Sequence, residues 1–135
     1  MGAAPALALI EQSRQCLAEA YAAELAAARY VTSQDAAMRA AAALVAGHSG
    51  RGRSRQDLWP LLTNHAPELG EWADFFALAA VRREEVESRT VRVSVREADD
   101  LLRAAETFVE LVTLTLGMPR GERAARRLAA ARETA

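Results

Sequence analysis

The stretch Ser94 to Gly117, SVREADDLLRAAETFVELVTLTLG, carries a start signal, an unbroken apolar stripe and a stop signal. It therefore constrains the fold more than any other part of the chain. Ser94 and Glu97 stand three apart, the spacing of a capping box in which the hydroxyl accepts from an early helix N–H and the carboxylate turns back to the Ser94 amide. Glu97, Asp99 and Asp100 suit the positive end of a helix dipole. Ala98, Leu101, Leu102, Ala105, Phe108, Val109, Val112 and Leu116 then recur at three and four, the spacing of one helical face. Gly117, followed by Met118 and Pro119, ends the helix. Near that end Leu111, Val112, Leu114 and Leu116 wrap most of the circumference, so it is expected either between other helices of the chain or against a second chain.

The preceding chain also reads as helix. Leu7, Ile10, Leu17, Tyr21 and Leu25 share a face and predict a first helix from about Ala6 to about Arg29. Thr32 with Asp35, or the neighbouring Ser33, offers an N-cap for a second helix that places Met38, Ala41, Leu44 and Val45 on the core and ends at Gly47. Asp57 to His65 is a short helix with Pro60 in its first turn. A fourth helix starts near Pro67 or Glu68 and runs to about Glu87, with Leu69, Trp72, Phe76 and Ala79 on one face and Phe75, Arg82 and Val86 beside it. Residues 88–93 hold three β-favouring residues, but a lone strand has nothing to pair with, so they read as a loop. The fold class is all-α, with a helical domain over residues 1–117 and an Arg-rich tail over 118–135. That tail has little apolar content beyond Leu128 and reads as frayed helix or disordered chain.

Charge narrows the function. All 17 basic residues are Arg, against 18 acids, and a net charge of −1 excludes the strongly basic signature of a dedicated nucleic-acid binder. The distribution is uneven: residues 56–116 hold 6 Arg and 12 acids, whereas residues 47–55, GHSGRGRSR, hold 3 Arg and no acid. This segment reads as an exposed loop, either a solvated connector or a phosphate-contacting segment using Arg51, Arg53 and Arg55. It is not a P-loop, which needs a Lys that the chain lacks. Cys16 is the only cysteine, so there is no intrachain disulfide and no cysteine-based metal cluster. With neither a basic signal-peptide start nor a long uncharged apolar run, the chain is expected to be soluble and cytoplasmic, without membrane contact.

Catalytic patterns are missing. His48 and His65 lie 17 apart with no metal-ligand spacing around them, and GxSxG, SxxK and GxGxxG do not occur. Glu84-Glu85 and Asp99-Asp100 are sequence neighbours, which point about a hundred degrees apart on a helix and form no acid/base pair. No cofactor and no metal is expected.

Three segments together resemble a known family. AAMRAAAALVAG (Ala36 to Gly47), DLWPLLTNHAPELGEWADFFALAAVRREEVE (Asp57 to Glu87) and VSVREADDLLRAAETFVELV (Val93 to Val112) are similar to the small actinobacterial HEPN-domain proteins of the SAV_6107-like family, over roughly residues 6 to 116. The resemblance implies an up-and-down bundle of four to five helices, typically dimeric, in a superfamily linked to nucleotide or RNA binding. Many HEPN proteins are metal-independent ribonucleases that use an Arg followed four to six residues later by His. Here Arg96, at the start of the long helix, is followed by EADDLLR, and neither His48 nor His65 has an Arg five to seven residues before it. That departure removes the imidazole such cleavage needs.

The expectation is a non-catalytic, HEPN-like binding module. It acts as a homodimer on RNA, single-stranded DNA, a nucleotide or a protein partner, with contacts from Arg51, Arg53, Arg55, Arg82, Arg83 and Arg96. The alternatives are a HEPN ribonuclease with a relocated site and a purely structural interaction protein.

Overall fold

The computed structural model describes residues 3–46 and 55–117, with the side chains of Ala3, Arg55 and Gln56 outside the description. Loop residues 47–54 and the tail 118–135, for which the sequence suggests mobility or disorder, lie outside it. Five α-helices and one short 3-10 turn make up the described chain: α1 (Ala3–Ala22), α2 (Ala26–Val45), α3 (Arg55–His65), the turn Pro67–Leu69, α4 (Gly70–Glu87) and α5 (Val95–Thr115). The fold is an all-α bundle, as the periodicity predicts, and no described helix is long and apolar enough to cross a membrane.

The bundle is built around α2, which packs against α1, α3, α4 and α5. Its inward residues are mostly alanines, with Ala36, Ala37, Ala40, Ala41 and Ala43 all buried. Small side chains allow neighbouring helix axes to approach closely, and alanine is the best helix former. A polar contact joins the first two helices inside this layer, where the Ser13 hydroxyl donates to the Ala36 carbonyl at 2.7 Å. The α1 stripe facing it is Ala6, Ile10, Ser13, Cys16 and Ala20, and the larger Leu7, Tyr21 and Leu25 of the expected stripe are exposed.

The boundary between the first two helices differs from the sequence reading. Helix α1 stops at Ala22, and α2 begins at Ala26, so Thr32 and Ser33 are inside α2 rather than at its cap. Ser33 is fully buried, and Asp35 pairs with Arg83 of α4 instead of closing a capping box. The turn sits earlier because Arg29 reaches back over it. Its Nε donates to Ala20 O at 3.0 Å, and its Nη2 donates to Tyr21 O at 3.2 Å and to Ala23 O at 2.9 Å. Carbonyls at a helix C-terminus lack ladder partners, although Ala20 O also accepts from Ala23 N at 3.3 Å, and a cation there suits the dipole. The remaining nitrogen, Nη1, pairs with Asp99 of α5 at 2.6 Å.

Large side chains of the core come from α3, α4 and α5. Trp59, Phe76 and Phe108 are fully buried; the Trp59 and Phe76 rings stack at 5.4 Å, and Phe76 meets Phe108 at 5.1 Å. Each such ring contributes roughly 2 to 3 kcal/mol through burial. Trp72, the aromatic that the sequence stripe puts in the core, packs at the edge of this cluster, 5.9 Å from Phe108. Helix α3 starts two residues earlier than expected, which moves Pro60 beyond the first turn. Within the helix the ring removes one ladder bond and crowds the carbonyl four residues before it, a cost the buried Trp59 and Leu62 on either side help to offset.

The long helix matches its signals. Ser94 caps α5, its hydroxyl accepting from Glu97 N at 3.0 Å, and Gly117 follows the last turn with φ +71°. At the far end Val112 is fully buried and Leu116 packs on the core, leaving Leu114 as the exposed member of the group. Half of that apolar group, Val112 and Leu116, is thus used inside the chain, while Leu111 is half-buried. Residues 88–93 form no strand; Val91 and Val93 tuck against the core. Helix α4 ends in a Schellman turn, with Arg89 N donating to Val86 O, Thr90 N donating to Glu85 O, and Arg89 in the left-handed region at φ 61°.

Candidate functional site

Between α4 and the start of α5 lies an open cleft of about 520 Å³. The backbones of these two helices do not approach closely. Aromatic rings hold them apart along the core, and one ion pair bridges them at the cleft. Phe75, Leu78 and Ala79 of α4 form an apolar wall, Tyr30 of α2 closes the side nearest the core, and Ser94, Arg96, Glu97 and Asp100 supply the polar rim.

Arg82 and Glu97 are the electrostatic centre of this cleft. The guanidinium grips the carboxylate with both ends, Nε to Oε2 at 2.8 Å and Nη2 to Oε1 at 3.0 Å, and Nη2 also donates to Arg92 O at 3.3 Å. Hydrogen bonding to Arg82 holds the Glu97 carboxyl below its ordinary range, against a smaller opposing effect of burial, and the Ser94 backbone amide adds to the lowering. The same hydrogen bond holds the Arg82 pKa above its ordinary value. Glu97 therefore keeps its negative charge more readily than a free carboxylate, and it offsets the Arg82 charge locally.

Tyr30 is only 5% exposed. Burial first, then the nearby Glu97 charge, pushes its phenol up to about 12, so it stays a protonated donor. Its hydroxyl has no hydrogen-bond partner among the described residues. Arg96 stands at the rim with its side chain 92% exposed and Asp100 at 4.0 Å, a loose i,i+4 pair on α5. Phe75 offers a half-exposed ring on the facing wall, edge-on to Phe76 at 5.1 Å.

The structure brings together two of the six arginines singled out from sequence, Arg82 and Arg96, in one cleft. Arg83, next in the chain, points about a hundred degrees away. Its side chain is 6% exposed, paired with Asp35 of α2 and 3.3 Å from Glu87, so it ties α4 to α2. Arg51 and Arg53 lie outside the described residues, and Arg55 opens α3 with its side chain undescribed. His65 ends α3 and does not line the cleft. Among the described residues no group of three or more His, Cys, Asp or Glu could hold a metal ion.

Sequence reasoning missed Tyr30 and the second role of Glu97. The α4 pattern places Phe75 and Arg82 side by side, but nothing local signals that a tyrosine fifty residues earlier closes the same cleft. Arg29, with three carbonyls and a carboxylate as partners, carries no sequence signal at all.

Against known proteins, the model of the SAV_6107-like HEPN family matches residues 20–113, well over half of the chain. The chain belongs to this HEPN family. The match spans most of α2 through α5 and omits nearly all of α1 and the tail, so it is narrower at the N-terminus than the resemblance read from sequence. No curated protein and no solved structure matches.

Proposed function

We propose that this HEPN chain is a non-catalytic binding module, acting as a homodimer, whose α4–α5 cleft takes single-stranded nucleic acid or a nucleotide. The observation that carries this reading is the meeting of Arg82 and Arg96 with the half-exposed Phe75 ring and the unpartnered Tyr30 hydroxyl in one open cleft. A base stacks on an aromatic face without regard to its identity, a cation at the rim meets phosphate, and the Tyr30 hydroxyl supplies one directed donor. Arg51, Arg53 and Arg55, singled out from the sequence, are proposed as further phosphate contacts. A protein partner is the less favoured ligand, because an unpartnered donor beside an open ring suits a small planar group better than a second folded surface.

The non-catalytic part rests on the chemistry at hand. Cleavage of RNA through its own 2′-hydroxyl needs a group that exchanges a proton near neutral pH. Among the described residues no imidazole lines the cleft, the Tyr30 phenol holds its proton, and Glu97 is paired with Arg82. Among the described residues of the cleft, no group takes the place of the missing Arg–His pair.

Fluorescence anisotropy with labelled single-stranded RNA and DNA at two salt concentrations tests the reading. Binding is expected to weaken with salt, to fall about fivefold or more in Phe75→Ala through loss of stacking, and to fall further when Arg96 or the three loop arginines become Ala. The RNA is expected to remain intact. Absence of binding at low salt, or affinity indifferent to Phe75→Ala and Arg96→Ala together, refutes the cleft; cleaved RNA refutes the non-catalytic part.

A further inference from the structure

The described chain leaves the outer face of α4 uncovered. Glu71, Asp74, Phe75, Leu78 and Val81 follow one another along it at helical spacing, all exposed, Leu78 to 73%. Glu68, in the turn before α4, is exposed as well. Among the described residues the side chains of Glu68, Glu71 and Asp74 have neither an ion pair nor a hydrogen bond. Three carboxylates without a cation thus lead into an apolar ridge, the kind of surface that marks an interaction site on a small domain.

The path of the chain decides what reaches this face. Arg82, late in α4, meets Glu97 at the start of α5, and Trp72, early in α4, meets Phe108 toward the end of α5, so the two helices run antiparallel. Gly117, at φ +71°, therefore breaks the α5 axis beside the beginning of α4. Residues 118–135 continue from that point with Arg120, Arg123, Arg126, Arg127 and Arg132 against only Glu122 and Glu133, and with Leu128 as their large aliphatic side chain besides Met118. Wound at about 1.5 Å per residue they span about 27 Å, the length of α4. Leu128 follows Met118 at the same distance in sequence as Leu78 follows Glu68. A tail laid along α4 from its start thus brings Arg123, Arg126 and Arg127 among the three carboxylates and Leu128 to Phe75 and Leu78. Charge meets opposite charge and apolar meets apolar in the same order along both segments.

We infer that residues 118–135 dock within their own chain on the outer face of α4 and cover one wall of the cleft until a ligand displaces them. The docking rests on the α4 face alone; the displacement rests on the cleft reading above and adds regulation to it. Arg82 takes no part and stays with Glu97. Phe75 and Leu78 are used in turn, under the tail at rest and open to a base once nucleic acid enters. The tail has too little apolar surface to bind tightly, but a short tether holds it at an effective concentration on the order of mM, so a contact too weak between separate molecules is populated within one.

Trypsin digestion of the full chain, with mass spectrometry of cutting after Arg126 and Arg127, reads the docking, and the free peptide of residues 118–135 gives the undocked rate. Cutting of a segment that opens and closes rapidly follows its open population, so wild type is expected to be cut about threefold or more slowly than the peptide. Glu71→Arg with Asp74→Arg, or Val81→Asp, is expected to restore the peptide's rate; all three positions are exposed, so the helical circular dichroism is expected to be unchanged. Equal rates in wild type and variants overturn the docking. Protection that grows with protein concentration assigns the tail to a neighbouring molecule and overturns it as well. Saturating single-stranded RNA is expected to speed the cutting, because base and tail compete for Phe75. RNA that binds but slows the cutting, or leaves it unchanged, overturns the displacement. RNA that does not bind refutes the cleft, and the displacement with it, while the variants still decide the docking.

Discussion

Arg29 allows a sharp test of how the first two helices are held. Its guanidinium donates to three carbonyls at the end of α1 and pairs with Asp99 of α5. Each bond from a charged donor to a carbonyl at a part-exposed site contributes about 0.5 to 1.5 kcal/mol net. The charge at a helix C-terminus adds about 0.3 to 1 kcal/mol, and the part-exposed pair with Asp99 at most about 1 kcal/mol. Water replaces some of what is lost, so Arg29→Ala is expected to cost about 2 to 3 kcal/mol. Asp99→Asn removes only the pair and is expected to cost under about 1 kcal/mol. Arg29→Lys keeps the charge but not the fork that reaches three acceptors, and is expected to fall between them. Urea unfolding followed by the fluorescence of Trp59 and Trp72 measures all three. If Arg29→Ala costs no more than Asp99→Asn, the carbonyl contacts are not what closes the α1–α2 turn.

Three further outcomes follow from the core and the helix ends. Trp59→Ala is expected to destabilise by about 3 to 5 kcal/mol, as for a fully buried ring, and Trp72→Ala by clearly less, since it packs at the edge; equal losses in denaturant unfolding would contradict the core as drawn. Arg89→Gly is expected to stabilise by about 1 kcal/mol, because the left-handed position after α4 penalises any side chain; a lowered melting temperature would argue that the Arg89 side chain has a compensating contact. Tyr30 has a folded pKa of about 12, above the ordinary value of 10.0. The unfolded chain therefore loses this proton first, and stability is expected to be full below pH 10 and to fall as pH rises toward 12. Urea midpoints between pH 9 and pH 11.5 should decline less in Tyr30→Phe, and parallel declines would place the cause elsewhere.

Legibility of the fold followed the size of the side chains. Helix α5 was readable because its stripe is Leu, Val and Phe with a Ser94–Glu97 cap before it and Gly117 after it, so pattern and ends agree. The α1–α2 boundary was not, because from Ala20 to Ala46 the chain is rich in alanine, which is helical wherever it is put and buries a face without marking it. The break was decided by Arg29 reaching over nine residues to Ala20 and across seventy to Asp99, a contact no local pattern encodes. The same holds for the cleft. Phe75 and Arg82 are visible on one helix, and Arg96 and Glu97 on another, but Tyr30 joins them only because α2 runs through the middle of the bundle. Arg83 differs from Arg82 by a single position, and the turn of the helix alone sends it to Asp35 instead of the cleft.

Glu97 shows how a residue legible as a cap can govern a site. Its backbone N–H bonds to Ser94 Oγ while its carboxylate holds Arg82, so cap and cleft share one residue. With that carboxylate in place the Arg82 charge is offset, and the cation left for a phosphate is Arg96. Glu97→Gln keeps the shape and the backbone contact with Ser94 but removes the negative charge, so Arg82 keeps only its looser pair with Glu85 at 3.9 Å and more of its charge is left within the cleft. Affinity for single-stranded RNA is then expected to rise, and the slope of log affinity against log salt to steepen by about 0.7, one further phosphate contact. Ser94→Ala, which costs the cap about 1 kcal/mol of stability and leaves the Arg82–Glu97 pair intact, should leave the salt slope unchanged. If Glu97→Gln binds RNA no better than wild type, with the same salt slope, Arg82 does not face the ligand, and the cleft would have to bind through Arg96 and Phe75 alone.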